Sequence, residues 1–140
     1  MKLVLDTNVL ISALWKPGSV PDLALELIFQ RRATILHDTR ILAEYREVLA
    51  RPKFKRIDPA RTASLIDRIA SAGESVRDAA PWTGTMKDDD DRMFVEVALA
   101  GHANVLVTGN LKDYPLDKGF EVHPPATLLA MLENDSRHRT

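Results

Sequence analysis

The stretch that decides the fold is Lys2-Leu3-Val4-Leu5-Asp6-Thr7-Asn8-Val9-Leu10-Ile11. Its short run of Leu and Val predicts a buried strand of a parallel sheet that is covered on both faces. Asp6 follows at the point where this strand ends, and ligands of such sheets bind beyond the carboxyl ends of the strands. Because burying a bare carboxylate is costly, Asp6 needs water, a cation or good hydrogen bonds.

Strand and helix signals alternate along the rest of the chain. Further strands are expected at 33–37, 74–77, 104–108 and 120–122, and helices at 7–14, 21–32, 39–50, 59–73, from Asp91 to near Gly101, and 125–132. This alternation predicts an α/β fold, a three-layer α/β/α sandwich with a central parallel sheet and right-handed crossovers. We expect one domain over 1–133 and a frayed C-terminal tail over 134–140.

The composition is typical of a soluble globular domain and narrows the function. The chain has 140 residues, of which 45% are hydrophobic and 28% are charged, and this argues against disorder. Its net charge of -1 means that any nucleic-acid binding needs a local basic patch. It has no cysteine, which excludes disulfides and thiolate metal sites. With no apolar run of membrane-spanning length and no room for a signal peptide before the first strand, we expect a cytoplasmic protein without membrane contact.

Acidic and amide side chains recur where the predicted elements begin or end. Glu44 lies at the margin of the apolar stripe of its helix, and Asp91 lies in the first turn of a later helix. Asn110 and Asp113 follow the strongest predicted strand. Together with Asp6, these side chains are expected to converge at one end of the sheet.

Such a cluster of oxygen ligands is typical of a divalent-metal site. Crowded carboxylates repel one another and need a cation, and all-oxygen sites select Mg²⁺ or Mn²⁺. A metal of this kind can activate water, orient a phosphodiester and neutralise the leaving oxygen, so that no protein nucleophile is required. The pattern therefore indicates hydrolysis of phosphodiester bonds.

Each of these residues, taken alone, also has a structural explanation. Asp6 can simply cap the helix that follows it, and Glu44 can be an ordinary solvated glutamate. The acidic run 88–91 can be an exposed helix start. Only the ordered combination along the chain favours a site over these explanations.

Five segments carry a resemblance to a known family. They are Leu3-Val4-Leu5-Asp6-Thr7-Asn8-Val9-Leu10, then Ile41-Leu42-Ala43-Glu44-Tyr45-Arg46-Glu47-Val48-Leu49 with Arg51-Pro52-Lys53-Phe54, then Asp88-Asp89-Asp90-Asp91-Arg92-Met93-Phe94, Ala98-Leu99-Ala100-Gly101 and Val107-Thr108-Gly109-Asn110. In this order they resemble the PIN-domain ribonucleases, in particular the VapC-like toxins of toxin–antitoxin pairs. The resemblance implies a parallel sheet flanked by helices, Mg²⁺ or Mn²⁺ as cofactor and metal-dependent cleavage of RNA. It also implies a homodimer and a cognate antitoxin protein.

The resemblance assigns roles residue by residue. Asp6, Glu44 and Asp91 match the acidic residues that bind the metal and carry catalysis. Asn8 matches a polar residue that supports the first acid, and Thr108 matches the hydroxyl residue beside the metal.

One position departs from the family pattern. Asn110 stands where many relatives carry a fourth aspartate, and its amide oxygen can ligate a hard cation but brings no charge. Asp113 is the candidate that replaces the missing acid, while Asp88 and Asp90 are candidate outer-sphere helpers.

RNA binding requires positive charge that meets the phosphates. The best candidates follow Glu44 along the chain, and they are Arg46, Arg51, Lys53 and Lys55. The alternative is that these residues form an ordinary solvated polar face.

Two other functions stay open. One is a PIN-fold protein that binds RNA or a protein partner without cleaving, and Asn110 is the feature that favours it. The other is a phosphatase that acts through a nucleophilic aspartate. That class resembles a pattern with a second aspartate two residues after the first, and Asn8 occupies this position.

Overall fold

A five-stranded parallel sheet forms the centre of the computed structural model, which describes residues 1–116 and 118–138. Its strands are β1 (Lys2–Leu5), β2 (Thr34–His37), β3 (Glu74–Ser75), β4 (Val105–Val107) and β5 (Glu121–His123). Their order across the sheet is β3-β2-β1-β4-β5, and each neighbouring pair is parallel. The predicted central parallel sheet is confirmed.

Helices connect these strands and cover the sheet. They are α1 (Thr7–Trp15), α2 (Val20–Gln30), α3 (Thr39–Leu49), α4 (Pro59–Ala72), α5 (Arg92–Ala100) and α6 (Pro125–His138). The chain moves outward from β1 to β3 and then returns across the sheet to β4, so right-handed crossovers place helices on both faces. This is the α/β/α sandwich that the alternation predicts. Within the described residues, no helix is both long and apolar enough to span a membrane.

The largest differences from the predicted element boundaries concern three elements. The last helix continues to His138 instead of ending at residue 132, because no Gly or Pro interrupts it. Of the tail expected over 134–140, residues 139 and 140 lie outside the described residues. Helix α2 ends at Gln30 and β3 at Ser75, since Arg32 and Asp78 then take left-handed backbone conformations with φ of 55° and 53°. Both predicted elements were therefore two residues too long.

Strand β1 lies at the middle of the hydrophobic core. Leu3, Val4 and Leu5 are fully buried, which explains why this strand has no polar face. Tyr45 on α3 is fully buried as well, and its hydroxyl donates a 2.6 Å hydrogen bond to the Leu5 carbonyl. The bond fixes α3 against the carboxyl end of β1.

The strand order creates a switch point between β1 and β4. These strands are neighbours, but the chain leaves β1 toward β2 on one side and leaves β4 toward β5 on the other. Clefts in α/β sheets form at such points, outside the carboxyl ends of the strands. Asp6 and Thr108 are the first residues after β1 and β4, so the topology places them side by side at this edge.

His37 ends β2 beneath the start of α3. Its side chain is 4% exposed, and neither ring nitrogen has a hydrogen-bond partner among the described residues. Burial lowers the pKa of His37 from its ordinary value, against the opposing effects of the Ala70 carbonyl and the Asp38 charge. The neutral imidazole is therefore the form that the fold accepts.

We expect the His37→Leu variant to gain stability relative to the wild type as the pH falls below about 6.5. The lowered pKa means that this histidine binds a proton more readily in the unfolded chain, so acidification adds a contribution to unfolding in the wild type that His37→Leu lacks. The difference in unfolding free energy should change by up to about 1.4 kcal/mol per pH unit. Urea denaturation between about pH 7.5 and pH 5 measures it. His102→Asn, a change at an exposed histidine, is the control. If the unfolding free energies of His37→Leu and the wild type changed in parallel with pH, the lowered pKa of His37 would be contradicted.

Candidate active site

Asp6 occupies the switch point as a buried carboxylate with three hydrogen-bond donors. Its side chain is 6% exposed. Oδ2 accepts from the Thr108 hydroxyl at 2.9 Å and from the Tyr114 hydroxyl at 2.8 Å, and Oδ1 accepts from the Asn8 backbone N–H at 3.3 Å. Asp6 therefore caps α1, as the structural explanation required, and is also held in one orientation by two hydroxyls.

Thr108 connects the exits of β1 and β4. Its fully buried hydroxyl donates to Asp6 and accepts from the Asn8 side-chain amide at 3.3 Å and the Asn110 backbone N–H at 3.0 Å. The Asn8 amide oxygen in turn accepts from the Gly109 backbone N–H at 3.0 Å. The predicted supporting residues Asn8 and Thr108 thus form one network around the Asp6 carboxylate.

Glu44 approaches the same edge from α3. It is half-buried, as its place at the margin of the apolar stripe predicts, and the Thr7 hydroxyl donates to Glu44 Oε2 at 3.2 Å. Burial is the largest cause that raises the pKa of Glu44, and the charges of Glu47 and Asp6 add to it. The Thr7 hydrogen bond and the charge of Arg51 oppose this shift.

Asp91 approaches from a third element, the 3-10 turn Asp89–Asp91 that leads into α5. Its pKa is raised to about 7, first by burial and then by the negative charges of Asp6, Asp88, Glu44 and Asp113. Because the charges of these four acids all raise the pKa of Asp91, its carboxyl lies within the electrostatic field of each of them. The structure therefore brings Asp6, Glu44 and Asp91 into one region of concentrated negative charge.

The turn that carries Asp91 is tied to the rest of the fold by buried polar contacts. Glu96 on α5 accepts from the Trp82 backbone N–H at 2.9 Å and from the Arg40 guanidinium at 2.7 Å. Arg92 donates to the carbonyls of Trp82 and Gly84, each at 2.7 Å. These bonds hold the long segment after β3, which is without regular structure, against α5 and α3.

Asn110 and Asp113, the candidates for a fourth oxygen ligand, occupy different surroundings. Asn110 is exposed, and only its backbone N–H takes part in the network around Thr108. Asp113 is partly buried and forms a 3.2 Å ion pair with Lys87. Because the charge of Asp113 also contributes to the raised pKa of Asp91, Asp113 belongs to the same acidic region.

Sequence reasoning missed Tyr114 and Thr7. Tyr114 is 5% exposed, and burial next to the Asp6 charge raises the pKa of its hydroxyl, which stays protonated as a donor. An aromatic side chain with a polar end, placed just after a strand exit, is the signal that could have identified it. Thr7 was treated only as the start of a helix, although its hydroxyl also faces Glu44.

The donor chemistry of this region fits a hard divalent cation. Asp6, Glu44 and Asp91 supply only oxygen, which Mg²⁺ and Mn²⁺ prefer, and their mutual repulsion is what such an ion relieves. In their present side-chain positions, no three His, Asp or Glu residues within 1–116 and 118–138 are grouped closely enough to hold a metal. These residues therefore fit such an ion in the type of their ligand atoms and in their charge, and not in the present positions of their side chains.

The basic residues singled out from the sequence lie on the surface at the far end of α3. Arg46, Arg51, Lys53 and Lys55 are all exposed. Arg51 forms an ion pair with Glu47 at 3.2 Å, one turn back on the helix. Lys53 lies 5.1 Å from the centre of the Phe54 ring, so the basic segment also contains an aromatic face.

Comparisons with known proteins agree with this architecture. A family model described as "PIN domain" matches residues 2–112. An uncharacterized protein of Methanocaldococcus jannaschii is 29% identical over 112 residues, which are 79% of this chain and 71% of the relative. A chain of VapBC2 from Rickettsia felis, crystallised bound to a DNA fragment from their promoter, has a TM-score of 0.60 at 22% identity. That match covers 89% of this chain and 98% of the other and shows a common fold.

We expect Glu96→Ala to lower the free energy of unfolding by about 2 kcal/mol. The change leaves the Trp82 backbone N–H without its acceptor and removes one of the two carboxylates that pair with Arg40, the other being Asp38. Glu26→Ala is the matched control, since Glu26 pairs with Arg68 in an exposed ion pair at 3.4 Å and its loss should cost less than about 1 kcal/mol. Urea denaturation measures the free energy of unfolding of each variant. An equal decrease in Glu96→Ala and Glu26→Ala would contradict a stabilising role for the hydrogen bonds of Glu96.

We expect Asp6→Asn to lower the pKa of Asp91 from about 7 toward its ordinary value of 3.8. The Asp6 charge is the largest of the charge effects on Asp91, and an asparagine still caps α1. Titration of the Asp91 carboxyl carbon by NMR, without divalent metal, measures the shift. Asp58→Asn, at the start of α4, serves as the control and should leave the Asp91 titration unchanged. An unchanged titration in Asp6→Asn would show that the two carboxyls do not interact.

Proposed function

The chain belongs to the PIN domain family, and we propose that it is a Mg²⁺- or Mn²⁺-dependent endoribonuclease that hydrolyses RNA phosphodiester bonds. Members of this family are generally nucleases. The observation that supports the proposal is the Asp6 carboxylate held at the switch point by the hydroxyls of Thr108 and Tyr114. The next residue, Thr7, donates to Glu44, and the charges of Asp6 and Glu44 are among the causes, after burial, that raise the pKa of Asp91.

In this proposal, the chain's own residues bind the ion and hold its ligands in place. Asp6, Glu44 and Asp91 are the ligands and catalytic residues, with Asn110 and Asp113 as further oxygen donors. Thr108 and Tyr114 orient Asp6, and Asn8 supports Thr108. The bound ion supplies Lewis acidity that polarises the phosphodiester and the attacking water.

The proposal also includes a role in a toxin–antitoxin pair. One structural neighbour from Rickettsia felis is a chain of VapBC2. We propose that this protein is the toxin of a toxin–antitoxin pair. A cognate antitoxin protein and a homodimeric state belong to the same proposal.

A non-catalytic PIN-fold protein that binds RNA or a protein partner is the second candidate. Two observations favour it. Asn110 brings no charge to the acidic region, and the part of the chain that is described groups no three acidic side chains tightly enough for a metal.

We expect RNA cleavage in Mn²⁺ or Mg²⁺ that EDTA abolishes and that Asp91→Asn reduces by about 100-fold or more. Asp89→Asn is the matched control, because Asp89 lies in the same turn but is exposed and pairs with Arg92 at 2.7 Å. Its activity should stay near that of the wild type. Gel assays with labelled RNA measure cleavage, and calorimetry with Mn²⁺ measures binding of the metal.

The two candidates give opposite results in these assays. Cleavage that survives EDTA, or that Asp91→Asn and Asp89→Asn reduce equally, would remove the metal-dependent mechanism. RNA binding without cleavage, together with no uptake of Mn²⁺, is the result that the non-catalytic candidate requires.

A further inference from the structure

A groove of about 490 Å³ lies between the end of α3 and the start of α4, outside the acidic region. Its floor is apolar and includes Leu49, Ile57 and Ile66, and the Phe54 ring forms part of the wall. Arg46, Arg51 and Lys55 lie on its rim. Ligand sites commonly combine an apolar floor with a few polar groups in this way, and the volume falls in their usual range.

The charge around this groove favours an anionic occupant. Three cationic side chains line it, whereas Asp67 is its one acidic lining residue. Arg46 and Lys55 form no ion pair with another described residue, so their charges are not neutralised within the described chain. In a chain with a net charge of -1, this is a local concentration of positive charge.

Aromatic side chains continue from the groove wall onto the neighbouring surface. Phe54 makes an edge contact with Trp15, with ring centres 6.4 Å apart. Trp15 is 42% exposed, and the Arg56 guanidinium lies 4.5 Å from its ring centre. Aromatic faces interleaved with cations are the surface that binds single-stranded nucleic acids, since bases stack on the rings and phosphates meet the cations.

The groove also connects with the acidic region. A second groove of about 520 Å³ runs between α3 and the start of α5 and is lined by Glu44, Glu47, Met93 and Arg51. Arg51 lines both grooves. The seven positions from Glu44 to Arg51 correspond to about 10 Å along a helix, a distance that a short stretch of nucleic acid can span.

From these contacts we infer that the groove between α3 and α4 binds a base of single-stranded RNA beside Phe54, while Arg46, Arg51 and Lys55 bind the flanking phosphates. The identity of the nucleic acid rests on the proposed ribonuclease function. A duplex keeps its bases stacked inside, so only a single strand can place one against the apolar floor. A protein segment is the alternative occupant, but the cationic rim favours a polyanion.

Binding is tested in EDTA, where no metal-dependent cleavage occurs, by anisotropy of a short fluorescein-labelled oligouridine. We expect Phe54→Leu, which keeps an apolar side chain but removes the ring face, to weaken binding by about 5-fold or more. We expect Lys55→Ala to weaken binding and to reduce the slope of log affinity against log salt by about one. Arg77→Ala, at an exposed cation after β3, is the control and should change neither.

A ribose-phosphate chain of the same length without bases separates base binding from phosphate binding. Lys55→Ala should weaken binding of this chain, whereas Phe54→Leu should not. Circular dichroism and thermal melting of each variant identify a loss of folding, and Phe54→Tyr, which retains the ring, should then bind like the wild type.

Three results would overturn the inference: no RNA binding by the wild type, equal binding by the wild type and both groove variants, or equal effects of Phe54→Leu on chains with and without bases. A change in solution mass with unaltered RNA binding would assign the groove to a protein interface instead. Cleavage by the wild type in Mn²⁺ is scored separately. Groove-dependent binding without cleavage rejects only the ribonuclease proposal, and cleavage with groove-independent binding rejects only the groove.

Discussion

The hydrogen bonds that Asp6 accepts from Thr108 and Tyr114 are the contacts on which the site depends. They join the carboxyl ends of β1 and β4 at the one place where the strand order opens a cleft. Burying a carboxyl group is costly unless hydrogen-bond donors surround it, so the polar residues after β4 are a condition for burying Asp6 there. The orientation of the first acid is therefore decided by a segment about a hundred positions further along the chain.

Capping and ligand binding are compatible at Asp6, although they compete as explanations when only the sequence is considered. The cap uses Oδ1, which accepts a long bond from the Asn8 backbone, whereas the two hydroxyls both bind Oδ2. One oxygen is thus firmly held and the other is weakly bonded. An N-terminal helix position also favours negative charge.

The sequence predicted the sheet and its helices because apolar runs and caps are local signals. The apolar run within Lys2–Leu5 indicates strand β1, Asp38 indicates the start of α3, and Asp58-Pro59 indicates the start of α4. The sequence also predicted that Asp6, Glu44 and Asp91 converge at one end of the sheet. For Asp6 this follows from its place at the carboxyl end of a parallel strand, and for the other two it stays a prediction. Tyr114 and Glu96 could not be found in this way, because their partners Asp6 and Arg40 are set by tertiary packing. The element ends at Ser75 and Gln30 were missed because they depend on left-handed residues that no composition rule predicts.

The charges on and just after α3 bear on how an acidic site could serve the anionic substrate of the proposed function. The Thr7 hydroxyl, next to Asp6 in the chain, donates to Glu44. Arg46 lines the basic groove, and Arg51, two residues beyond α3, lines both this groove and the one beside Glu44. A phosphodiester chain is repelled by uncompensated carboxylates, so without an ion the acids disfavour the part of a strand that lies next to them. In the proposed function, a divalent ion held by the acids would reverse the sign of the potential there, and the cations of the groove between α3 and α4 would hold the strand. The acids and the groove would then be complementary parts of one binding surface, and loss of the ion would leave repulsion near Glu44 while the groove stays intact.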